Sequence, residues 1–248
     1  MESNVTMTNT PMNKVTVNLD NPTYYEEPNS VLYRFKRKLT YRNLFVRLQK
    51  YLKNSSDFSM LEIGTGSGFF ISLVESKYPK ATLTGLEFDP RLVDITTNKV
   101  KNAKILQGNA EEFELGVKYD LIVSSQVIEH LYDPERMFEH VIKHLKQGGI
   151  FLFTTPNLDC VAAKVMKDKW HGFRDDHVSL KNCKEWVSLA EKNGFTTIYS
   201  GSTFFSGIPV LNKFPLGVFN WILLLIFGSM RWRYGESFVG IFRYSNDS

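Results

Sequence analysis

The chain reads as an α/β protein built on an open, mostly parallel sheet with helices on both faces. Three observations lead there. An apolar run over 60–63 breaks into alternating glycines at Gly64, Gly66 and Gly68. A second apolar run, 81–87, ends in an acid, Glu87, at about the 20-residue distance expected of a carboxylate at the tip of the next strand. Strand-like runs then alternate with helical stripes as far as Pro156, the signature of parallel strands joined by crossover helices.

The elements follow in order. The glycines let the backbone turn tightly and approach a ligand closely. The helix expected over 67–77 aims its N-terminal N–H groups at that ligand. Dinucleotide sites favour G-x-G-x-x-G, whereas here the third glycine comes one residue early, and Glu62 stands where a diphosphate would be repelled. A carboxylate there suits a cationic or amine-bearing ligand and disfavours a nicotinamide dehydrogenase. The alternative is a turn that only packs strand on helix. Glu87 suits ribose hydroxyls, or else is a solvated strand-end charge. Asn109 and Ala110 follow a third strand, 119–125 is a fourth, and 149–156 a fifth. Met137, Phe138, Val141, Ile142 and Leu145 make one apolar stripe along a helix over 134–145. A ligand in such a sheet lies beyond the carboxyl ends of its strands.

Together, Glu62 through Gly68, Glu87, Asn109-Ala110, Asp120 with Glu129-His130, and Gly148-Gly149 through Asn157 resemble the Rossmann-like S-adenosylmethionine-dependent methyltransferases. The resemblance covers 55–200 and is nearest the branch of ubiquinone-biosynthesis O-methyltransferases. It implies a seven-stranded sheet and S-adenosyl-L-methionine as cofactor. Glu62, Gly64, Thr65, Gly66 and Gly68 would surround the methionine part, Glu87 would hold the ribose, and Phe88 would cover the adenine. Asn109, with Ala110, stands where the family commonly has Asp facing the adenine amino group; its carbonyl oxygen can accept the same bond. The backbone of Ser125 would line the pocket.

The ubiquinone branch carries Glu-x-x-Glu-His after the fourth strand, which resembles a divalent-metal site. Here the stretch reads Gln126-Val-Ile-Glu129-His130. Replacing one hard carboxylate by an amide weakens such a site, so no tightly bound metal is expected. Glu129 and His130 are candidate catalytic groups, or else brace the following helix. His177, just before a helix expected over 182–193, is a candidate general base with Asp175 or Asp176 as orienting partner. The alternative is a hydrogen-bonding strut. Trp170, Phe173 and Arg174 are candidates for an acceptor wall, or else a packed loop.

Outside these motifs, 31–53 carries eight Lys and Arg and no acid, with Leu32, Phe35, Leu39, Leu44, Phe45, Leu48 and Leu52 at helical spacing. It reads as a basic amphipathic helix, either a lid or an interaction surface. Tyr24 and Tyr25 lie just upstream, where they are placed to close over the cofactor. Strands expected over 195–200 and 237–243 normally meet in a hairpin in such sheets. Here a hydrophobic insertion, about 204–236, separates them, with an uncharged apolar run over 214–230 flanked by Lys213, Arg231 and Arg233. A single crossing would put two neighbouring strands on opposite sides of a bilayer, so spanning is disfavoured. An in-plane membrane helix, a roof over the acceptor pocket and a homodimer interface stay open.

Composition fits one domain over 30–248 behind a polar tail at 1–29. The formal charge is +4, and the basic residues form no stripe with stacking aromatics of the kind nucleic acid requires. Cys160 and Cys183 make neither a disulfide framework nor a zinc site. Residues 1–20 lack a signal-peptide core, so the expected location is cytoplasmic, with peripheral membrane contact through 214–230. The expected function is methyl transfer to a small-molecule or lipid-linked acceptor at oxygen. The alternative is a membrane-attached cofactor-binding module without turnover.

Overall fold

In the computed structural model the alternation becomes one eight-stranded sheet. The structure describes residues 57–203, 208–213 and 215–245, with helical positions at 39, 41, 44–46, 48 and 49. Strands β1 (Ser59–Ile63), β2 (Thr82–Glu87), β3 (Lys104–Gln107), β4 (Tyr119–Ser125) and β5 (Leu145–Pro156) are followed by β6 (Phe195–Thr203), β7 (Ser229–Met230) and β8 (Ser237–Tyr244). Their order across the sheet is β3-β2-β1-β4-β5-β8-β6-β7. The first five are parallel, and β8 is antiparallel to both β5 and β6. Two reversals cancel, so β6 points the same way as β5. The insertion that follows β6 therefore leaves from the edge where β1, β4 and β5 end.

The helices are α1 (Phe69–Lys77), α2 (Pro90–Lys99), α3 (Pro134–His144), α4 (Val161–Met166), α5 (Cys183–Lys192) and α6 (Leu216–Phe227). Local chemistry sets their starts. Asp89 and Asp133 each cap a helix through a backbone N–H, with proline in the first turn, and Asn182 forms a capping box with Glu185. Strand alternation then divides the core. Leu61 and Ile63 join Met137, Phe138 and Val141 of α3 and Trp186 of α5 on one face. Met60 joins Phe70, Ile71 and Val74 of α1 on the other, with Leu44, Phe45 and Leu48. The described part of the basic segment's apolar stripe, Leu44, Phe45 and Leu48, thus packs on the domain, and Phe45 stacks on Tyr78 at 5.1 Å. Tyr24, Tyr25 and the tail lie outside the described residues.

Three expectations change. The sheet has eight strands, because the insertion donates β7 to the end of β6. The first helix begins at Phe69 rather than 67, since Gly68 caps it in the left-handed conformation. Helix 134–145 gives up Leu145 to β5, whose pairing with β4 begins at Tyr119–Leu145 and shifts register before Leu121–Ile150.

Candidate active site

At the carboxyl end of β1 the three glycines divide the work. All have positive φ. A Cβ on Gly64 would meet Val127 Cγ2 at 2.2 Å, so this glycine makes room for the loop after β4. A Cβ on Gly68 would meet Thr96 at 2.7 Å, seating α1 against α2, whereas one on Gly66 would meet nothing within 4 Å. Gly66 is therefore the turn's open face, and Gly64 and Gly68 act through packing. Beside it, Thr65 is buried and its hydroxyl has no hydrogen-bond partner among the described residues. An open backbone face next to an unsatisfied hydroxyl fits a polar ligand. Glu62 is buried at the end of β1, on the α1 face.

Glu87 ends β2, one strand away. Its carboxylate accepts from the N–H groups of Gly66 at 2.7 Å, Phe88 at 2.9 Å and Asp89 at 3.2 Å. Burial nonetheless raises its pKa, outweighing the three donors. Glu87 thus ties the glycine loop to β2, a role the spacing did not announce. It is not a solvated strand-end charge. The Asn109 side-chain carbonyl oxygen accepts from Glu111 N–H at 3.0 Å, closing a local turn. Ala110 is buried in the core, and Phe88 is half-buried. Ser125 shares a 3.0 Å hydrogen bond with Thr154.

After β4 the chain turns through Gln126 at φ 58, unusual for a residue with a side chain. Its amide donates to Thr154 Oγ1 at 3.3 Å. Beyond it Glu129, His130 and His177 converge, each offering one ligand-capable atom within 4.8 Å of the others. Glu129 is buried; Oε2 accepts from Thr155 at 3.1 Å, while Oε1 has no hydrogen-bond partner among the described residues. Burial pushes this carboxyl up to about 8. His130 Nδ1 donates to the Asp176 carbonyl at 2.9 Å, and His177 Nδ1 to the Gly172 carbonyl at 2.8 Å. Those bonds leave the lone pair of each neutral imidazole on Nε2. Burial lowers both pKa values, so both rings are neutral near pH 7.

Two expectations shift here. Asp176 serves His130 rather than His177: its carboxylate is 3.6 Å from His130 Nδ1 and paired with Arg174 at 2.9 Å. Trp170 does not face an acceptor; it is buried with Cys160, Ala162 and Ala163, its indole bonded to Glu236. Phe173 stands edge-on to Trp170, its exposed side outward. Sequence reasoning missed Thr154 and Thr155, which hold Gln126 and Glu129 from a strand far away in the chain, and assigned Asp176 to the wrong histidine. As for a metal, Gln126 gives the ubiquinone-branch ligand set an amide turned toward Thr154, which does not fit a hard divalent ion.

The comparisons agree with this fold. A family described as "Methyltransferase domain" matches residues 33–200. The sheet order, the glycine turn and that match define a class I S-adenosylmethionine-dependent methyltransferase, and the chain belongs to the methyltransferase domain family. Among curated proteins it is similar to malonyl-[acyl-carrier protein] O-methyltransferases. The Paenibacillus sp. (strain JDR-2) protein is 27% identical over 154 residues, 56% of either chain. That of Anoxybacillus flavithermus is 30% identical over 131 residues, 49% of this chain and 51% of the relative. The chain thus spans about half the length of these relatives. Solved structures share the fold. The plantazolicin methyltransferase BpumL in complex with SAH has TM-score 0.62 at 15% identity, covering 86% of this chain and 85% of that one. N-methyltransferase NodS from Bradyrhizobium japonicum WM9 has TM-score 0.56 at 17% identity, covering 92% and 99%.

Proposed function

We propose that this chain methylates a hydroxyl oxygen of a small-molecule or lipid-linked acceptor that it meets at a membrane surface. One observation carries the chemistry: two neutral imidazoles, oriented by backbone carbonyls, beside a buried carboxyl at the strand-end edge. S-adenosylmethionine, when bound, supplies an already activated methyl group, so alignment provides most of the acceleration. Glu62, Thr65 and the Gly66 backbone would hold its methionine part, Glu87 and Phe88 its ribose and adenine, with Asn109, Ala110 and Ser125 beyond. His177 Nε2 accepts the hydroxyl proton. Glu129, protonated near pH 7, acts as a donor rather than as a base. Gln126 supports proton transfer without tightly bound magnesium; strong magnesium binding by calorimetry would remove that part.

The relatives' names raise a second reading, esterification of a carboxylate. A carboxylate is already ionised and needs no base, so His177→Ala decides. For a hydroxyl acceptor, turnover falls about 100-fold or more while cofactor affinity holds. An unchanged rate takes His177 out of the mechanism.

The insertion supports the membrane part of the reading. α6 turns only Gly217, Asn220 and Leu224 inward. Leu216, Val218, Phe219, Ile222, Leu223, Leu225, Ile226 and Phe227 are exposed, Phe219 at 63% and Ile226 at 65%. An apolar exterior around a partly polar interior is the reverse of an ordinary surface helix. No described helix is long and apolar enough to cross a membrane. α6 leaves the sheet from the edge that carries Glu87 and Ser125, which favours delivery of an acceptor from the surface it touches. The deciding assay offers methyl-labelled cofactor and a cell extract, followed by partition. Organic-phase label lost in Phe219→Ser/Ile222→Ser/Ile226→Ser supports this reading, and water-soluble label recasts α6 as a roof or dimer contact. Cofactor binding without transfer favours a module without turnover.

A further inference from the structure

Beside the root of α6 lies an open groove of about 540 Å³ between α5 and the segment leading into β8. Its charged lining is Lys184, Glu191, Arg231 and Arg233, three cations against one acid, with Trp232 between the arginines and Tyr234 after them. We infer that this groove seats the phosphate-bearing headgroup of an anionic phospholipid while α6 lies among the acyl chains. The inference rests on the membrane contact proposed above and adds its lipid chemistry.

The groove is held in shape by the sheet rather than left to a loose loop. The Trp232 carbonyl accepts from Ser202 Oγ at 2.9 Å, and that same Oγ accepts from Gly235 N–H at 2.8 Å. The Arg233 carbonyl accepts from the fully buried Asn157 amide at 2.8 Å. A Cβ on Gly201 would strike the Met230 carbonyl oxygen at 2.0 Å, and one on Gly235 that of Thr203 at 1.8 Å, so the segment lies directly on β6. With the backbone pinned inward, Arg231 and Arg233 are left exposed. Arg233 leans over the Tyr234 ring, 5.1 Å from its centroid.

Charge complementarity selects the lipid. Residues 204–235 contain no Asp or Glu, and Lys213, Arg231 and Arg233, all exposed, bracket α6. Guanidinium groups pair with phosphate oxygens in bidentate fashion. Val187, Trp232 and Tyr234 give the groove apolar walls, and only Gly228 and the two-residue β7 separate its arginines from α6. A headgroup that continues into hydrocarbon satisfies both surfaces at once, which a free phosphate ester does not.

The test is co-sedimentation of the full chain with phosphatidylcholine vesicles, with and without about 30% phosphatidylglycerol. Binding is expected to be at least about tenfold tighter to the anionic vesicles and to weaken in about 0.5 M salt. Arg231→Ala/Arg233→Ala is expected to lose roughly 25-fold, about fivefold for each cation removed near the surface. Cofactor binding and melting temperature are read alongside to confirm that the variant is folded. Equal, salt-insensitive binding to both vesicles overturns the headgroup site and leaves the membrane contact standing, whereas binding to neither overturns both. Anionic preference that survives the double variant also overturns it. Calorimetric binding of soluble glycerol phosphate, abolished by the double variant and competing with vesicles, would reassign the groove to a free phosphate ester.

Discussion

The two ends of the sheet solve opposite problems. Around β1, β2 and β4 the polar groups turn inward and meet one another: Glu87 gathers three backbone N–H groups, and the glycine turn closes on Leu86 through Gly64 N–H at 2.8 Å. Around β6 and β7 the polar groups also face inward, at Ser202 and Asn157, but they anchor a helix whose apolar side chains face out. On the reading proposed above, the first region holds a ligand drawn from solution and the second has its surface completed by a membrane. Burial marks the first end, and exposure marks the other.

The sharpest way to break this contrast is at the glycine turn. Gly64→Ala must take positive φ and push Val127 aside, which should cost about 3 kcal/mol and several degrees of melting temperature. Gly66→Ala meets only the backbone strain, about 1 kcal/mol, but intrudes on the open face, so cofactor affinity should fall more than stability. Equal melting temperatures for the two variants would show that the turn is not divided in this way.

Next comes the buried carboxyl. Folding raises the Glu129 pKa from 4.5 to about 8, so the folded state holds this proton more tightly than the unfolded chain does. Its contribution is fully present below about pH 4.5 and is lost as pH rises through about 8, on the order of 4 kcal/mol across the window. Glu129→Gln should therefore gain stability relative to the parent as pH climbs from 5 to 8, read as melting temperature against pH. A constant offset would place the proton elsewhere. Smaller still, Asn182→Ala removes the capping box of α5 and should cost about 1 kcal/mol in urea denaturation. Smallest of all, Phe219→Ser/Ile226→Ser should move stability by less than about 0.5 kcal/mol, because those side chains already face solvent. A large loss would mean that α6 is part of the core after all.

The glycine end of the sheet was largely legible from sequence, because its signals are local. Glycine spacing and the strand-ending Glu87 are each read within a few residues. The acid–base cluster was half legible. His130 and His177 were visible as candidates, but Asp176 crossing to His130 and Thr155 reaching Glu129 depend on loops brought together by tertiary structure. Trp170 misled because an aromatic in a loop looks like a ligand wall until Glu236 claims its indole. The two-residue β7 carries too little pattern to be seen. Hydropathy announced α6, but not whether its apolar faces meet protein or solvent, since both demand the same residues.

The four tryptophans divide along the same line. Trp170 and Trp186 are sealed in the interior, while Trp221 and Trp232 sit half-exposed in the insertion. The chain therefore carries its own optical gauge. Two indoles emit from a fixed apolar environment and give a steady background, and two report on whatever surrounds α6 and its root. A blue shift in intrinsic fluorescence on adding vesicles, gone in Trp221→Phe/Trp232→Phe, would register the insertion changing its surroundings without any label.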